Sequence, residues 1–258
     1  MIQYGSLPIL TPDKAYFIGD IHGDFHRLEK LWAKIEVDFG SNDHVIFLGD
    51  LVNRLGLYSA EVLEFIRDLK EKYPGQVFVI EGNHDWMLKD YLATGNMGWM
   101  GQYGKNTIQS FVRKYGVIAN HEEIRDELEI NGILKFLNEM LPYYETPNII
   151  ATHAPLDNTM CLMHGLDDYE EYLQDDDIMF KRRFLDRILY EIKWGFTAEE
   201  SKVKLIEKFL VCGHQFKHHK QPRIFKDRMF VDVGCGAVEN RPLVSVAFPG
   251  KKIISSDD

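Results

Sequence analysis

The stretch FIGDIHGDFHRL, Phe17 to Leu28, joins two patterns that call for different structures. Upstream, Ala15, Tyr16, Phe17 and Ile18 form an unbroken apolar run, as expected of a strand buried on both faces. Downstream, Leu28, Leu31, Trp32 and Ile35 recur at helical spacing over Phe25 to Glu36. Between them, Asp20, His22, Asp24 and His26 fall within seven positions. A strand that turns into a helix through carboxylates and imidazoles is either capping that helix or holding a ligand.

The unit then repeats. Following a first strand over Lys14 to Ile18, His44 to Leu48 reads as a second and Gln76 to Ile80 as a third. Ser59 to Tyr73 is a helix with Val62, Leu63, Ile66 and Leu69 on one face, and HDWMLKDYL, from His84, starts another. Alternating strands and helices imply a parallel sheet with right-handed crossovers, in which ligands bind beyond the carboxyl ends of the strands. The segment Lys105 to Glu145 reads as helical, with Ile133, Leu134, Leu137 and Leu141 as its clearest stripe. Asn148 to Thr152 and Phe209 to Cys212 read as a fourth and a fifth strand. From Arg223 the pattern shifts to short β segments between Gly, Pro and Asn, expected to form antiparallel hairpins, and the tail from Gly250 reads as frayed. With no repeat and no low-complexity linker, the chain reads as one α/β domain over 1–258 with an ordered core over 14–248. Asp167 to Asp177 holds seven acids in eleven residues, ahead of Lys181, Arg182 and Arg183, and reads as a solvated helix face rather than a lid.

Composition narrows the function. The 258 residues carry a formal net charge of -10, with 45% hydrophobic and 27% charged residues, as in soluble globular proteins. An acidic chain is poorly suited to track a long nucleic acid, whose phosphates need Lys and Arg. A small phosphorylated substrate remains compatible, because bound cations reverse the local field. Cys161, Cys212 and Cys235 show no paired spacing, so a reducing, cytoplasmic setting is expected. Neither a signal peptide nor a membrane span is legible.

The residues just past the strands decide the chemistry. They are Asp20 and His22, then Asp50 with Asn53 and Arg54, then Asn83 and His84, then His153, then His214. Any one has a bland reading: Asp20 as a helix cap, His153 or His214 as hydrogen-bonded core histidines. Together they do not, because caps need no imidazoles, and carboxylates buried side by side repel unless a cation lies between them. Mixed carboxylate, imidazole and amide donors suit manganese, iron or zinc. A shared carboxylate could bridge two such ions, which activate water and hold the substrate's oxygens.

GDIHG (19–23), GDLVNR (49–54), GNHD (82–85), a lone His after a strand and a final GH (213–214) resemble, in order, the signature of the calcineurin-like metallophosphoesterases. More closely they resemble the phosphoprotein phosphatase branch, with its GDxHG, GDxVDRG and GNHE. The resemblance implies a four-layer α/β/β/α sandwich of mixed sheets, parallel in the N-terminal half, with the C-terminal hairpins in the second sheet. It implies Asp20, His22 and Asp50 on one metal, and Asp50, Asn83, His153 and His214 on the other, with manganese favoured over iron or zinc. His84 would be the general acid. Arg54 would bind phosphate with bidentate geometry, helped by a second arginine, Arg182 or its neighbour Arg183. His26, His44, His121, His164, His218 and His219 match no ligand and read as surface or structural.

Two departures bear on the substrate. The aspartate that orients the catalytic histidine in the phosphoprotein phosphatases is Asn53 here, and the glycine after the arginine is Leu55. Asn53, GDLV, GNHD and the later VDVGCG (231–236) also resemble the symmetrical dinucleoside tetraphosphatases, a sister branch. The expectation is a metal-dependent phosphoesterase, narrowly a Ser/Thr protein phosphatase-like phosphomonoesterase, with a dinucleoside tetraphosphatase-like phosphoanhydride hydrolase as alternative. A non-catalytic scaffold ranks lower, since all six ligand positions are filled. The expected partner is a phosphorylated protein or small phosphorylated molecule, with no membrane and a monomer as default.

Overall fold

Alternation hidden inside the apolar runs sets the architecture. The structure, a computed structural model, describes residues 11–98, 103–154, 208–216 and 219–257. Strands β1 (Ala15–Ile18), β2 (His44–Phe47) and β3 (Val77–Val79) are parallel neighbours, joined through helices α1 (Phe25–Glu36) and α2 (Ser59–Lys72). On β1 and β2, Tyr16, Ile18, Val45 and Phe47 face the helices, while Ala15, Phe17, Ile46 and Leu48 face a second sheet. Both faces are buried, so the period of two that marks a half-exposed strand is invisible in hydropathy.

Helix α1 shows what holds the helical layer. Leu28, Leu31, Trp32 and Ile35 are its buried residues, each contributing about 1.5–3 kcal/mol when fully removed from water. Its N-cap is Asp24, whose Oδ1 accepts from the Arg27 N–H at 3.3 Å. Asp20 is thereby released from capping. Helix α3 (Asn83–Thr94) follows β3 directly, and α4 (Lys105–Tyr115), α5 (His121–Ile130) and α6 (Ile133–Asn138) complete the layer. The expectation that the helical segment reaches Glu145 fails. Pro142 disfavours helix for the residue before it, and Tyr143–Glu145 forms strand β4.

Strands β4, β5 (Ile149–Thr152), β6 (Phe209–Cys212), β7 (Arg223–Ile224) and β8 (Arg228–Phe230) form the second sheet, in the order β4-β5-β6-β8-β7. Within it, β5, β6 and β8 are mutually parallel. Strands β9 (Val244–Phe248) and β10 (Lys252–Ser255) return to the first sheet, ordered β10-β9-β1-β2-β3. Two expectations are corrected here. The C-terminal hairpins divide between the sheets, β7–β8 in the second and β9–β10 in the first. The tail is not frayed: β10 pairs antiparallel with β9 along its length, so order extends beyond residue 248. None of its four residues is buried, which is why it reads as a tail.

Phe17, Ile46, Leu48, Ile149, Ala151, Val211, Met229 and Val246 form the core between the sheets. Ile150, Leu210, Cys212 and Phe230 are buried on the outer face of the second sheet. The described residues thus give a helical layer over two mixed sheets. The fourth layer, the acidic run and Cys161 lie outside them. No described helix is long and apolar enough to cross a membrane.

Candidate metal centre

Each sheet delivers its chemistry at the carboxyl ends of its parallel strands. Past β1 come Asp20 and His22, past β2 Asp50, and past β3 Asn83 and His84 at the start of α3; His153 follows β5 and His214 follows β6. All except the partly exposed His214 are buried. The loops meet tightly. A Cβ on Gly82 would lie 2.3 Å from Asp50 Oδ1, and one on Gly213 would lie 2.5 Å from Asp20 Oδ1. Among the described residues, seven non-glycines have positive φ, and five belong here: His22 (49°), Asp50 (51°), Asn53 (75°), Arg54 (65°) and His214 (64°). Such backbone costs of order 1–3 kcal/mol per residue and gathers where geometry is dictated by function.

The imidazoles are oriented by what their outer nitrogens touch. His22 Nδ1 donates to the Val52 carbonyl at 3.0 Å and His153 Nδ1 to the Leu48 carbonyl at 2.7 Å. A carbonyl can only accept, so in both rings Nε2 carries the lone pair and points into the cluster. There, His22 Nε2 is 3.9 Å from Asp20 Oδ2 and 3.7 Å from Asp50 Oδ2. His153 Nε2 lies 3.5 Å from Asp50 Oδ1, 3.0 Å from Asn83 Oδ1 and 3.1 Å from His214 Nδ1. Asp50 is central, with Oδ1 accepting the His84 N–H at 2.8 Å, and Asp20 Oδ1 accepts the His214 N–H at 3.0 Å.

His84 is held differently. Asn53 Nδ2 lies 3.2 Å from both His84 Nδ1 and the His84 carbonyl oxygen. The carbonyl fixes the amide's orientation, since an oxygen facing it would set two acceptors together. At the other end of the amide, Thr107 Oγ1 donates to Asn53 Oδ1 at 2.7 Å while accepting the Asn53 backbone N–H at 2.9 Å. His84 Nδ1 therefore accepts from Asn53, and the ring proton sits on Nε2, 3.9 Å from Asp50 Oδ2. By distance alone His84, His22 and Asp50 could share an ion. The hydrogen bonding argues against that, because His84 Nε2 has no lone pair to give.

Gathering these groups is costly without cations. Burial raises Asp20 well above the ordinary carboxylate range, helped by the charges of Asp232 and Asp50, and raises Asp50 to about 7. Burial lowers His22 well below its usual value, with Arg54 adding to it, and lowers His153 to about 4. Facing lone pairs on buried carboxylates and neutral imidazoles fit divalent cations, which need deprotonated ligands.

At the edge, half-buried Arg54 donates its N–H to the Tyr103 carbonyl at 3.2 Å, and its guanidinium lies 5.2 Å from the Tyr103 ring. Arg182 and Arg183 lie outside the described residues. His44 is structural, its Nδ1 2.7 Å from Tyr144 Oη, and His26 is exposed. Sequence reasoning missed four residues. Thr107 and Tyr103 lie far along the chain from the groups they hold and carry no motif. Asp85 looked like a variant of a motif residue, yet its two oxygens accept from Leu51 N at 2.9 Å and Gly82 N at 3.0 Å, pinning two site loops. Asp232 lies among the short β segments after Arg223, yet β8 ends at Phe230 and Asp232 follows it as another strand-end acid.

A family model for calcineurin-like phosphoesterases matches residues 14–215, and the chain belongs to that family. It is 41% identical over 104 residues to the serine/threonine-protein phosphatase PP1-1 of Saccharomyces cerevisiae, covering 40% of this chain and 32% of that protein. It is 48% identical over 164 residues to the symmetrical bis(5'-nucleosyl)-tetraphosphatase of Buchnera aphidicola, covering 62% of this chain and 56% of that one. The chain thus spans a third to a little over half the length of these relatives. A crystal structure of the cold-active protein-tyrosine phosphatase of a psychrophilic Shewanella species shares the fold, with a TM-score of 0.59, 18% identity, and coverage of 96% of this chain and 82% of that one.

Proposed function

We propose that this chain is a two-metal phosphohydrolase, folded as one domain, whose preferred substrate is a phosphoanhydride such as a dinucleoside polyphosphate. Asp20, His22 and Asp50 would hold one cation, and Asp50, Asn83, His153 and His214 the other, with manganese the first candidate and iron or zinc next. Such ions would supply charge to the phosphoryl oxygens and a water made nucleophilic near neutral pH. Arg54 would bind the phosphate, with Arg182 as the candidate second arginine.

The observation that carries the substrate class is the Asn53 amide, locked by Thr107 with its N–H toward His84. A carboxylate at position 53 would accept a hydrogen bond from Nδ1–H and so favour a doubly protonated ring that can give a proton through Nε2. The amide presents a donor there instead, so His84 works as a neutral hydrogen-bond donor through Nε2. When the bond from phosphorus to an anhydride oxygen breaks, the oxygen leaves as a phosphate anion and needs no proton. A serine alkoxide does need one. The similarity to the Buchnera tetraphosphatase over 62% of the chain supports the same reading.

The test compares kcat/KM of the manganese-loaded protein on a symmetrical dinucleoside tetraphosphate and on a phosphoserine peptide. The wild type should favour the dinucleotide by at least about 100-fold, the low end of what a positioned general acid contributes. Asn53→Asp should raise peptide turnover about tenfold or more while anhydride turnover stays within about twofold. A wild type that prefers the peptide would overturn the assignment and restore the protein phosphatase reading that the yeast relative suggests.

A further inference from the structure

The strand-end pattern has a sixth member, the acid of the VDVGCG stretch (231–236). Strand β8 runs parallel to β6, and Asp232 follows it at the edge where β5 and β6 deliver His153 and His214. Asp232 is buried, at 2% exposure. Its Oδ1 accepts the Gly234 N–H at 2.8 Å, which fixes the side chain. Its Oδ2 is also buried and, among the described residues, has no hydrogen-bond partner. A buried carboxylate oxygen with nothing to accept from is costly and calls for a cation or an ordered water.

Its neighbour is the metal cluster. A Cβ on Gly19 would lie 3.1 Å from the Asp232 Cα, so the Asp232 backbone packs against the residue preceding Asp20. The Asp232 nitrogen and the Val231 carbonyl carbon lie 3.2 and 3.3 Å from the same point. Cys235 and Gly236 on the same turn tie it to the site: the Cys235 thiol lies 3.8 Å from the Ile21 carbonyl, and the Gly236 carbonyl accepts the Leu55 N–H at 2.9 Å. The turn 231–236 is thus built around the loop that carries Asp20 and His22.

We infer that Asp232 is a further anionic residue of the metal centre, its unpartnered Oδ2 supplying negative charge, directly or through a bound water, to the cation that Asp20 holds. This rests on the two-metal reading above. The competing role is structural, the Oδ1 bond to Gly234 and the attraction to buried Arg223; Asp232→Asn keeps the bond and removes the charge, and a loss of metal affinity is the readout that neither structural contact predicts.

Manganese binding to the full, metal-stripped chain, measured by equilibrium dialysis, separates the two roles. The wild type should bind two ions. D232N should bind one of them about tenfold or more weakly, as loss of an outer-shell partner costs about 10–100-fold. Its metal-free form should melt higher than the wild type's, because repulsion among buried carboxylates is relieved. Asp232→Glu should recover part of the lost affinity, and Asp232→Ser replaces D232N if that variant does not fold. Two ions bound by D232N with wild-type affinity would overturn the role of Asp232 and leave the centre intact. A wild type that binds no manganese, iron or zinc would overturn both.

Discussion

His22 and His153 occupy one kind of setting and His84 another, although all three rings are buried at the same cluster. The first two donate Nδ1–H to backbone carbonyls of the β2 region, Val52 and Leu48, and turn a lone pair inward. His84 accepts from the Asn53 amide and turns a proton inward. One contact on the far side of the ring thus separates an inward lone pair from an inward proton. The lesson is that the outer partners, more than the histidines themselves, assign the roles.

The largest effect should come from removing what both settings share. Asp50→Ala takes away the carboxylate that lies against His22, His84 and His153. Both ions should be lost, and activity should fall by more than the roughly 10²–10³-fold that removal of a single hydrogen-bond donor costs. Elemental analysis checks this, and two ions retained per chain would remove Asp50 from its bridging place.

A smaller effect tests the contrast itself. His84→Ala should lower turnover by about 10²–10³-fold, as for a donor at a developing negative charge, while two ions stay bound. Loss of an ion in that variant would put His84 with His22 and His153, and would mean that the Asn53 contact does not set its tautomer.

The smallest effect uses a buried histidine away from the cluster. Burial lowers the pKa of His44, with Asp43 opposing it, and its Nδ1 lies beside the Tyr144 hydroxyl. A folded-state pKa below the unfolded one means the unfolded chain binds more protons in mild acid. His44 therefore stabilises the fold above the ordinary histidine pKa and loses that contribution as pH falls through its lowered folded value. Thermal melts between pH 7 and 5 should show a shallower decline for His44→Phe than for the wild type. Identical slopes would show that His44 does not titrate on unfolding.

The sequence determined the parallel strands β1 to β3, their helices and the identity of the cluster. Strand ends are marked by abrupt changes of residue type, and Asp20, His22, Asp50, Asn83, His153 and His214 each stand where such a run stops. It could not show that β10 joins the first sheet, because an edge strand with no buried residue looks like a tail. Nor could it show that Pro142 opens a strand rather than closing a helix, since the Leu stripe runs up to it. Tertiary structure alone decided the proton on His84, the lock of Thr107 on Asn53 across 54 positions, the cradle of Asp85 and the packing of Asp232 against Gly19, next to Asp20. Residue type records what a group can donate or accept. Which of those it does is set by a partner brought near by folding, often from 30 or more positions away, and no local pattern encodes that distance.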